Sequence, residues 1–393
     1  MKNNLKTKII TAAVSVLVTL VAVCLVLNID PTRLASQIPL IRKLTQIDMY
    51  AGHCYIEDYG IETAADYAAM GYVGSLEDDY ARYFSAQAQS DNEDYTAGKR
   101  LGIGVSIAKE PDSGETVIVY VDRESSADKA GVKKGDILIA CDGKSVADNS
   151  LDEISELITS EEEKQTAITV KRGDETLDFA VKYSDFIADS VNWRVYNGLG
   201  IINITCFDDT TKSQFDLALE DLKNQKVGGY IIDLRNNGGG TVDSCTAILD
   251  ELLPEGEICR VKYRDGKIKV LAKSDGKADG TPLCVIVNGV SASASEIFAC
   301  AVRDFDRGAI IGEKTFGKGI MQTTYTLTDK SAVKFTVAYV VDKNGDTYHK
   351  KGIEPDIKAA LSDELKERYY FLTDDEDTQI QAAAEYLNKS ATK

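Results

Sequence analysis

Histidine is almost missing from this chain: His53 and His349 are the two among 393 residues. That excludes His-rich metal sites and leaves little room for acid–base catalysis by imidazole. Positive charge is also short. Lys and Arg number 45 against 63 Asp and Glu, a formal net charge of −18, which argues against a nucleic-acid binder, since phosphate backbones demand a basic footprint. No C-x-x-C pair occurs among the eight cysteines, so neither a metal site nor a cofactor is expected. What is there is a chain 44% hydrophobic and 27% charged, rich enough in apolar residues to bury a core. Its length suits two or three domains.

The first segment stands apart. Met1 to Lys8 carries Lys2, Lys6 and Lys8 without an acid, and the run from Ile9 to Leu27 is uncharged and rich in Val, Leu and Ile. Residues 9–28 therefore read as a single-pass membrane anchor rather than a cleaved signal, because no small-residue cleavage motif follows before Asn28, Ile29, Asp30 and Pro31. A basic flank that stays cytoplasmic (1–8) places the rest outside the cytoplasm. Cys24 lies in the anchor, leaving an odd seven cysteines with no repeating interval. Cys141, Cys206, Cys284 and Cys300 sit among apolar neighbours and read as core thiols, and Cys245 with Cys259 is the pairing left open.

Four stretches come after the anchor: a helical region over 30–92 rich in Tyr and Ala, a β-rich module over 96–183, alternating strands and helices over 190–360, and a polar helical tail over 362–393 broken at Asp374 to Asp377. In the third, Gly198 to Phe207, Gly229 to Leu234 and Leu283 to Val287 are apolar strands. Phe215, Leu219 and Leu222 mark one face of an intervening helix, and another runs from about Ser293 to Phe305. This order implies a largely parallel sheet covered on both faces. Asn344-Gly345 predicts a hairpin turn.

Three motifs could carry chemistry. Val290 to Glu296 (VSASASE) joins a strand to a helix, where a hydroxyl is held rigidly and the helix N-terminus favours a developing oxyanion. Ser293-x-x-Glu296 is equally a capping box, which starts a helix and nothing more. Gly312 to Gly319 (GEKTFGKG) nearly matches a phosphate loop, but Gly319 replaces the required hydroxyl and a strand follows. A lysine there acts instead as a base when burial and positive neighbours lower its pKa. Asp233 to Gly240 (DLRNNGGG) lets backbone N–H groups approach a ligand closely.

Together these segments resemble the C-terminal processing peptidases, or tail-specific proteases, over roughly residues 50–360. The resemblance implies that Ser293 is the nucleophile, Lys318 the base and Gln322 the residue orienting it. It also implies that Gly239 and Ala294 supply the oxyanion hole. Gly238 stands where that family has proline. Both histidines read as structural, as does Asp304. The β-rich module resembles a PDZ domain, with Leu101, Gly102, Ile103 and Gly104 as its carboxylate-binding loop and Ser150-x-x-Glu153 starting the helix beside the groove. The fold class implied is α+β and multidomain: a helical N-terminal region, a PDZ-like module and a mixed α/β catalytic domain of the ClpP/crotonase type. The function implied is a membrane-anchored, extracytoplasmic serine endopeptidase acting on protein or peptide substrates near their C-termini, with dimerisation through the terminal helical regions. The rivals are an inactive PDZ-bearing scaffold, an acyl-CoA-type enzyme, and thiol catalysis by Cys206 or Cys245.

Overall fold

The computed structural model describes residues 34–159 and 165–390, and 14–15 and 18–19 besides. The expected basic flank and nearly all of the expected anchor lie outside the described residues. No helix among the described residues is long and apolar enough to cross a membrane. The chain divides into two compact units, residues 1–68 and 69–393. In the first, α1 (Leu34–Cys54) leaves Ile38, Leu44, Ile47 and Tyr50 exposed. The Tyr59 hydroxyl closes the following loop on Asp48 Oδ1 at 2.7 Å. His53 Nδ1 lies 2.7 Å from the Met49 carbonyl, a contact within the helix. Helix α2 (Ile61–Gly74) begins in this unit.

The second unit continues with β1 (Arg82–Phe84) and α3 (Ala86–Thr96). A β-rich module comes next. Strand β2 (Lys99–Gly102) pairs with β9 (Ser184–Ile187). Between them run β3 (Val105–Lys109), β4 (Thr116–Val121), α4 (Ser126–Ala130), β5 (Ile137–Cys141), β6 (Lys144–Ser145), α5 (Leu151–Ile158), β7 (Gln165–Arg172) and β8 (Glu175–Lys182). The antiparallel order β3-β4-β5-β7-β8 encloses Ile118, Leu138, Ile154, Ile168 and Val170. Helix α5 starts as expected: the Ser150 hydroxyl accepts from Glu153 N–H, and Glu153 returns a bond to Ser150 N–H. Just beyond β9, Asp189 binds the chain back to this module, accepting from the Tyr120 hydroxyl at 2.7 Å and from the Arg123 N–H at 2.8 Å.

The remaining elements are β10 (Val191–Tyr196), β11 (Leu199–Ile204), α6 (Thr211–Asn224), β12 (Tyr230–Asp233), α7 (Val242–Leu252), β13 (Gly256–Tyr263), β14 (Ile268–Ser274), β15 (Leu283–Val287), α8 (Ala294–Asp304), β16 (Gly308–Gly312), β17 (Ile320–Thr326), β18 (Ala332–Val341), β19 (Ile357–Lys358), α9 (Asp363–Glu367) and α10 (Thr378–Ser390). The main sheet runs β10-β11-β12-β15-β16-β19 and is parallel after its first pair. Because side chains alternate along a strand, Ile202, Ile232 and Val285 pack with Phe215, Leu249 and Phe298 on one face. Ile201, Ile231 and Ile286 meet Ile380, Ala383 and Leu387 of α10 on the other. The tail is thus the cover of the second sheet face. Its acidic break is used as well: Asp374 pairs with Arg194, and Asp377 with the buried Arg235 at 2.7 Å.

A second sheet, β1-β18-β13-β14 with β17 on β18, corrects the expected hairpin. The hairpin is β17–β18, closed where Leu327 N–H donates to Ser331 O at 2.7 Å. Asn344-Gly345 does form a turn, Gly345 N–H donating to Asp342 O at 3.0 Å, but no strand after it pairs with β18. The chain beyond is committed elsewhere, as Lys350 N–H donates to Gly317 O at 2.8 Å. All seven described cysteines are free thiols, Cys245 and Cys259 included. Cys206 is only half-buried and so does not belong with the core thiols.

Candidate active site

The S-A-S-A-S run owes its spacing to a division of labour. Ser291 and Ser295 are fully buried. The Ser291 hydroxyl donates to Leu234 O at 2.8 Å and the Ser295 hydroxyl to Asn237 O at 2.9 Å, bolting the β15–α8 turn to the loop after β12. Ser293, between them, lines a cavity of about 380 Å³. Its backbone sits at φ 57°, ψ −112°, a region that costs a non-glycine residue on the order of 1–3 kcal/mol and persists only where the surroundings impose it.

Glu296 is what imposes it. This carboxylate is fully buried. Its Oε1 accepts from the Thr315 hydroxyl at 2.6 Å and Gly317 N–H at 2.7 Å; its Oε2 accepts from Lys318 N–H at 2.7 Å and Ser293 N–H at 3.0 Å. The capping box is real in its carboxylate half, but the same group also gathers the Gly317-Lys318 segment against the start of α8. Burial raises its pKa, while those four donors stabilise the anion.

Lys318 lines the same cavity. Burial lowers its pKa and the charge of Lys334 lowers it further; Glu296 opposes this, and Arg82 adds to the lowering. Its Nζ lies 4.9 Å from the centroid of the Tyr80 ring, and no hydrogen bond joins it to the Ser293 hydroxyl. Gln322 lines the cavity, yet its Nε2 is buried without a partner and does not hold Lys318.

Gly239 lies directly on the nucleophile candidate: a Cβ there would fall 2.8 Å from Ser293 Cβ and 2.9 Å from Ala294 N, and its φ is +106°. Only glycine permits that approach. In this structure the Gly239 N–H donates to Asn237 Oδ1 at 2.8 Å, so the donor expected for an oxyanion hole is occupied, whereas Ala294 opens the helix beside it. Val261, Leu271, Ile297, Ile320 and Val340 form the apolar side of the cavity. Cys206 and Cys259 also line it, but burial pushes their thiols up to about 11 and about 12, the wrong direction for a thiolate nucleophile.

Asp304 accepts from Lys343 N–H at 2.6 Å, a structural contact that holds the Asp342–Asp346 turn. His349 meets the Tyr80 ring edge-on and the Tyr339 ring at a tilt, and its Nδ1 is buried without a partner. In the β-rich module, Leu101 and Gly102 belong to β2 rather than to a free loop, because the chain there pairs with β9. Ile103 is buried in the module's core. Gly104 adopts φ +81°, and a Cβ there would fall 2.1 Å from the Ser125 side chain, so the position requires glycine. Among the described residues no group of His, Cys, Asp or Glu is placed to hold a metal ion.

Comparison with known proteins identifies the family of this chain. The profile of peptidase family S41 matches residues 198–359, and that of the PDZ domain matches residues 117–172. The carboxy-terminal processing protease CtpA of Bacillus subtilis (strain 168) is 33% identical over 318 residues, which are 80% of this chain and 68% of that protein. This chain belongs to peptidase family S41. It is a serine-type peptidase carrying a PDZ domain, homologous to the carboxy-terminal processing proteases. A second relative, the "Probable CtpA-like serine protease" of Staphylococcus haemolyticus (strain JCSC1435), is 32% identical over 75% of this chain; the chain spans 59% of that relative's length. A solved S41-type structure from Bacteroides fragilis NCTC 9343 shares the fold, with a TM-score of 0.59 at 16% identity, covering 86% of this chain and 98% of that one.

Proposed function

We propose that this S41 peptidase cleaves polypeptides near their C-termini with Ser293 as nucleophile and Lys318 as base. The Ser293 hydroxyl attacks the peptide carbonyl as neutral Lys318 takes its proton, giving a tetrahedral oxyanion beside Ala294 N–H and, once Asn237 releases it, Gly239 N–H. Lys318 then passes the proton to the departing amine, leaving an acyl-enzyme that water hydrolyses through the same groups. Gln322, which lines the same cavity, is the residue available to steady the lysine amine once it turns toward Ser293, its side-chain Oε1 accepting from an amine N–H. The observation that carries this reading is Glu296, whose one carboxylate oxygen accepts from both Ser293 N–H and Lys318 N–H while both side chains line one cavity.

The PDZ domain supplies recognition of substrate C-termini, by strand addition beside α5. The segment over 9–28 anchors the chain in the cell membrane with the peptidase outside the cytoplasm, and the terminal helical regions support a homodimer. Purified Ser293→Ala and Lys318→Met chains should lose cleavage of an unfolded protein while keeping the wild-type thermal transition; undiminished hydrolysis by either refutes the assignment. The rival reading, an inactive scaffold, draws on the absence of a Ser293–Lys318 hydrogen bond. Labelling of Ser293 by a fluorophosphonate separates the two, because an inert serine does not react.

A further inference from the structure

Strands β1 and β18 put two positive charges side by side where no described acid pairs with them. In the antiparallel pair β1–β18, Arg82 lies directly opposite Lys334, and Lys334 is opposite Thr324 of β17 in turn. Like charges facing each other across strands are unfavourable. Neither Arg82 nor Lys334 has an ion-pair partner among the described residues; the Arg82 guanidinium donates only to the neighbouring Ala81 carbonyl, at 2.9 Å. The nearby acids are engaged: Glu296 with its four donors, and Asp78 with the Thr336 and Tyr80 N–H groups. Lys334 is half-buried, and it lines the same cavity as Ser293, Lys318, Gln322 and Thr324. A half-buried, uncompensated cation at the wall of a cleft is stabilised by an anion delivered with the substrate.

We propose that Lys334, backed by Arg82, is a subsite for the substrate's terminal α-carboxylate. Lys318 delivers a proton to the leaving amine, so groups beyond it stand on the side of the departing C-terminal fragment. A carboxylate held there sets how many residues separate the scissile bond from the chain end, and it favours short-tailed substrates over internal sites. This inference rests on the reading of Ser293 and Lys318 given above.

The test is a cycle on the full chain with one unstructured octapeptide bearing a free C-terminal carboxylate and its carboxamide twin. At a pH on the activity plateau, amidation should lower wild-type kcat/KM about tenfold, chiefly through KM, as expected for loss of a hydrogen bond between charged groups. The penalty should fall to within about twofold in Lys334→Met, shrink partly in Arg82→Met, and persist in Lys334→Arg. Any change that Lys334→Met causes in Lys318 affects both peptides alike and cancels in the ratio. An equal amidation penalty in Lys334→Met and wild type overturns the proposal and assigns carboxylate reading to the PDZ domain; no penalty in the wild type overturns it too. The same two peptides, fluorescein-labelled and titrated onto the Ser293→Ala chain with and without Lys334→Met, read the subsite without turnover. Failure of the catalytic assignment would instead appear as cleavage by Ser293→Ala.

Discussion

Replacing Glu296 by Gln tests whether one buried carboxylate holds the site together. Four donors converge on it: the Thr315 hydroxyl, Gly317 N–H, Lys318 N–H and Ser293 N–H. A glutamine must point its NH2 at one pair. Pointed at Lys318 and Ser293, it opposes two N–H groups that cannot turn away. Pointed at Thr315 and Gly317, it opposes one, because a hydroxyl can rotate and accept. The second orientation wins, leaving the Gly317 N–H unsatisfied at about 1–3 kcal/mol and weakening the two remaining bonds by removing their charge. The total loss is about 2–4 kcal/mol, part of it seen as a lowered thermal midpoint, at roughly 2–4 °C per kcal/mol for a domain of this size. The rest relaxes the strained Ser293 backbone and costs kcat. A second signature has a definite sign. Glu296 raises the Lys318 pKa, so its neutralisation should move the rising limb of the rate–pH profile toward acid. A structural defect alone would lower the rate without moving that limb. Calorimetry and kcat/KM between about pH 6 and 10 decide it; an unchanged midpoint with activity within twofold of wild type refutes the reasoning.

Lys334→Met should shift the same limb the other way, because the Lys334 charge is the largest electrostatic influence lowering the Lys318 pKa; an unmoved or acid-shifted limb in a rate–pH titration contradicts this. Gly239→Ala should reduce kcat at least a hundredfold, since its Cβ would lie 2.8 Å from both the Ala292 carbonyl and Ser293 Cβ at φ +106°; steady-state kinetics near wild type would show that the loop does not approach the nucleophile. Asp377→Asn should cost about 3–5 kcal/mol by leaving the buried Arg235 short of an ion-pair partner, read as a thermal midpoint lower by on the order of 10 °C. A change under about 2 °C would mean that Asp233 alone suffices.

Much of this architecture is legible in the residues alone, and the parts that are not have physical reasons. Leu283–Val287 and the helix after Ser293 follow from apolar runs bounded by turn residues, and the parallel sheet follows from their alternation. The role of Glu296 is half visible. S-x-x-E signals a cap, but a capping glutamate is ordinarily solvated, whereas every residue from Ala294 to Val302 is buried. Three of its four donors arrive from a segment about twenty residues later, which no local pattern encodes. Tyr80, Arg82 and Lys334 give no signal, since their significance comes from pairing strands 252 positions apart (334 − 82). The tail misleads for a related reason. Its polar composition describes the outer face of α10, while Ile380, Ala383 and Leu387 at helical spacing cover the sheet. Asn344-Gly345 obeys its turn chemistry but not its hairpin chemistry, because pairing needs a second free strand and that chain is already bonded to Gly317.

The site is coupled from below and open above. Beneath the cavity, Glu296 and the flanking serines fix the backbones of Ser293, Lys318 and the 234–237 loop in one hydrogen-bonded frame. Within the cavity, three polar groups are unengaged or engaged elsewhere: Lys318 Nζ rests against Tyr80, Gln322 Nε2 lacks a partner, and Gly239 N–H is held by Asn237. In the proposed mechanism the lysine amine turns from the Tyr80 ring toward Ser293, where an amine N–H can donate to Gln322 Oε1 while the lone pair faces the hydroxyl. A substrate carbonyl over Ala294 would, in the same mechanism, compete with Asn237 for the Gly239 N–H and gain most once it carries charge. The donor is then won in the transition state rather than the ground state, where stabilisation accelerates the reaction instead of merely tightening binding.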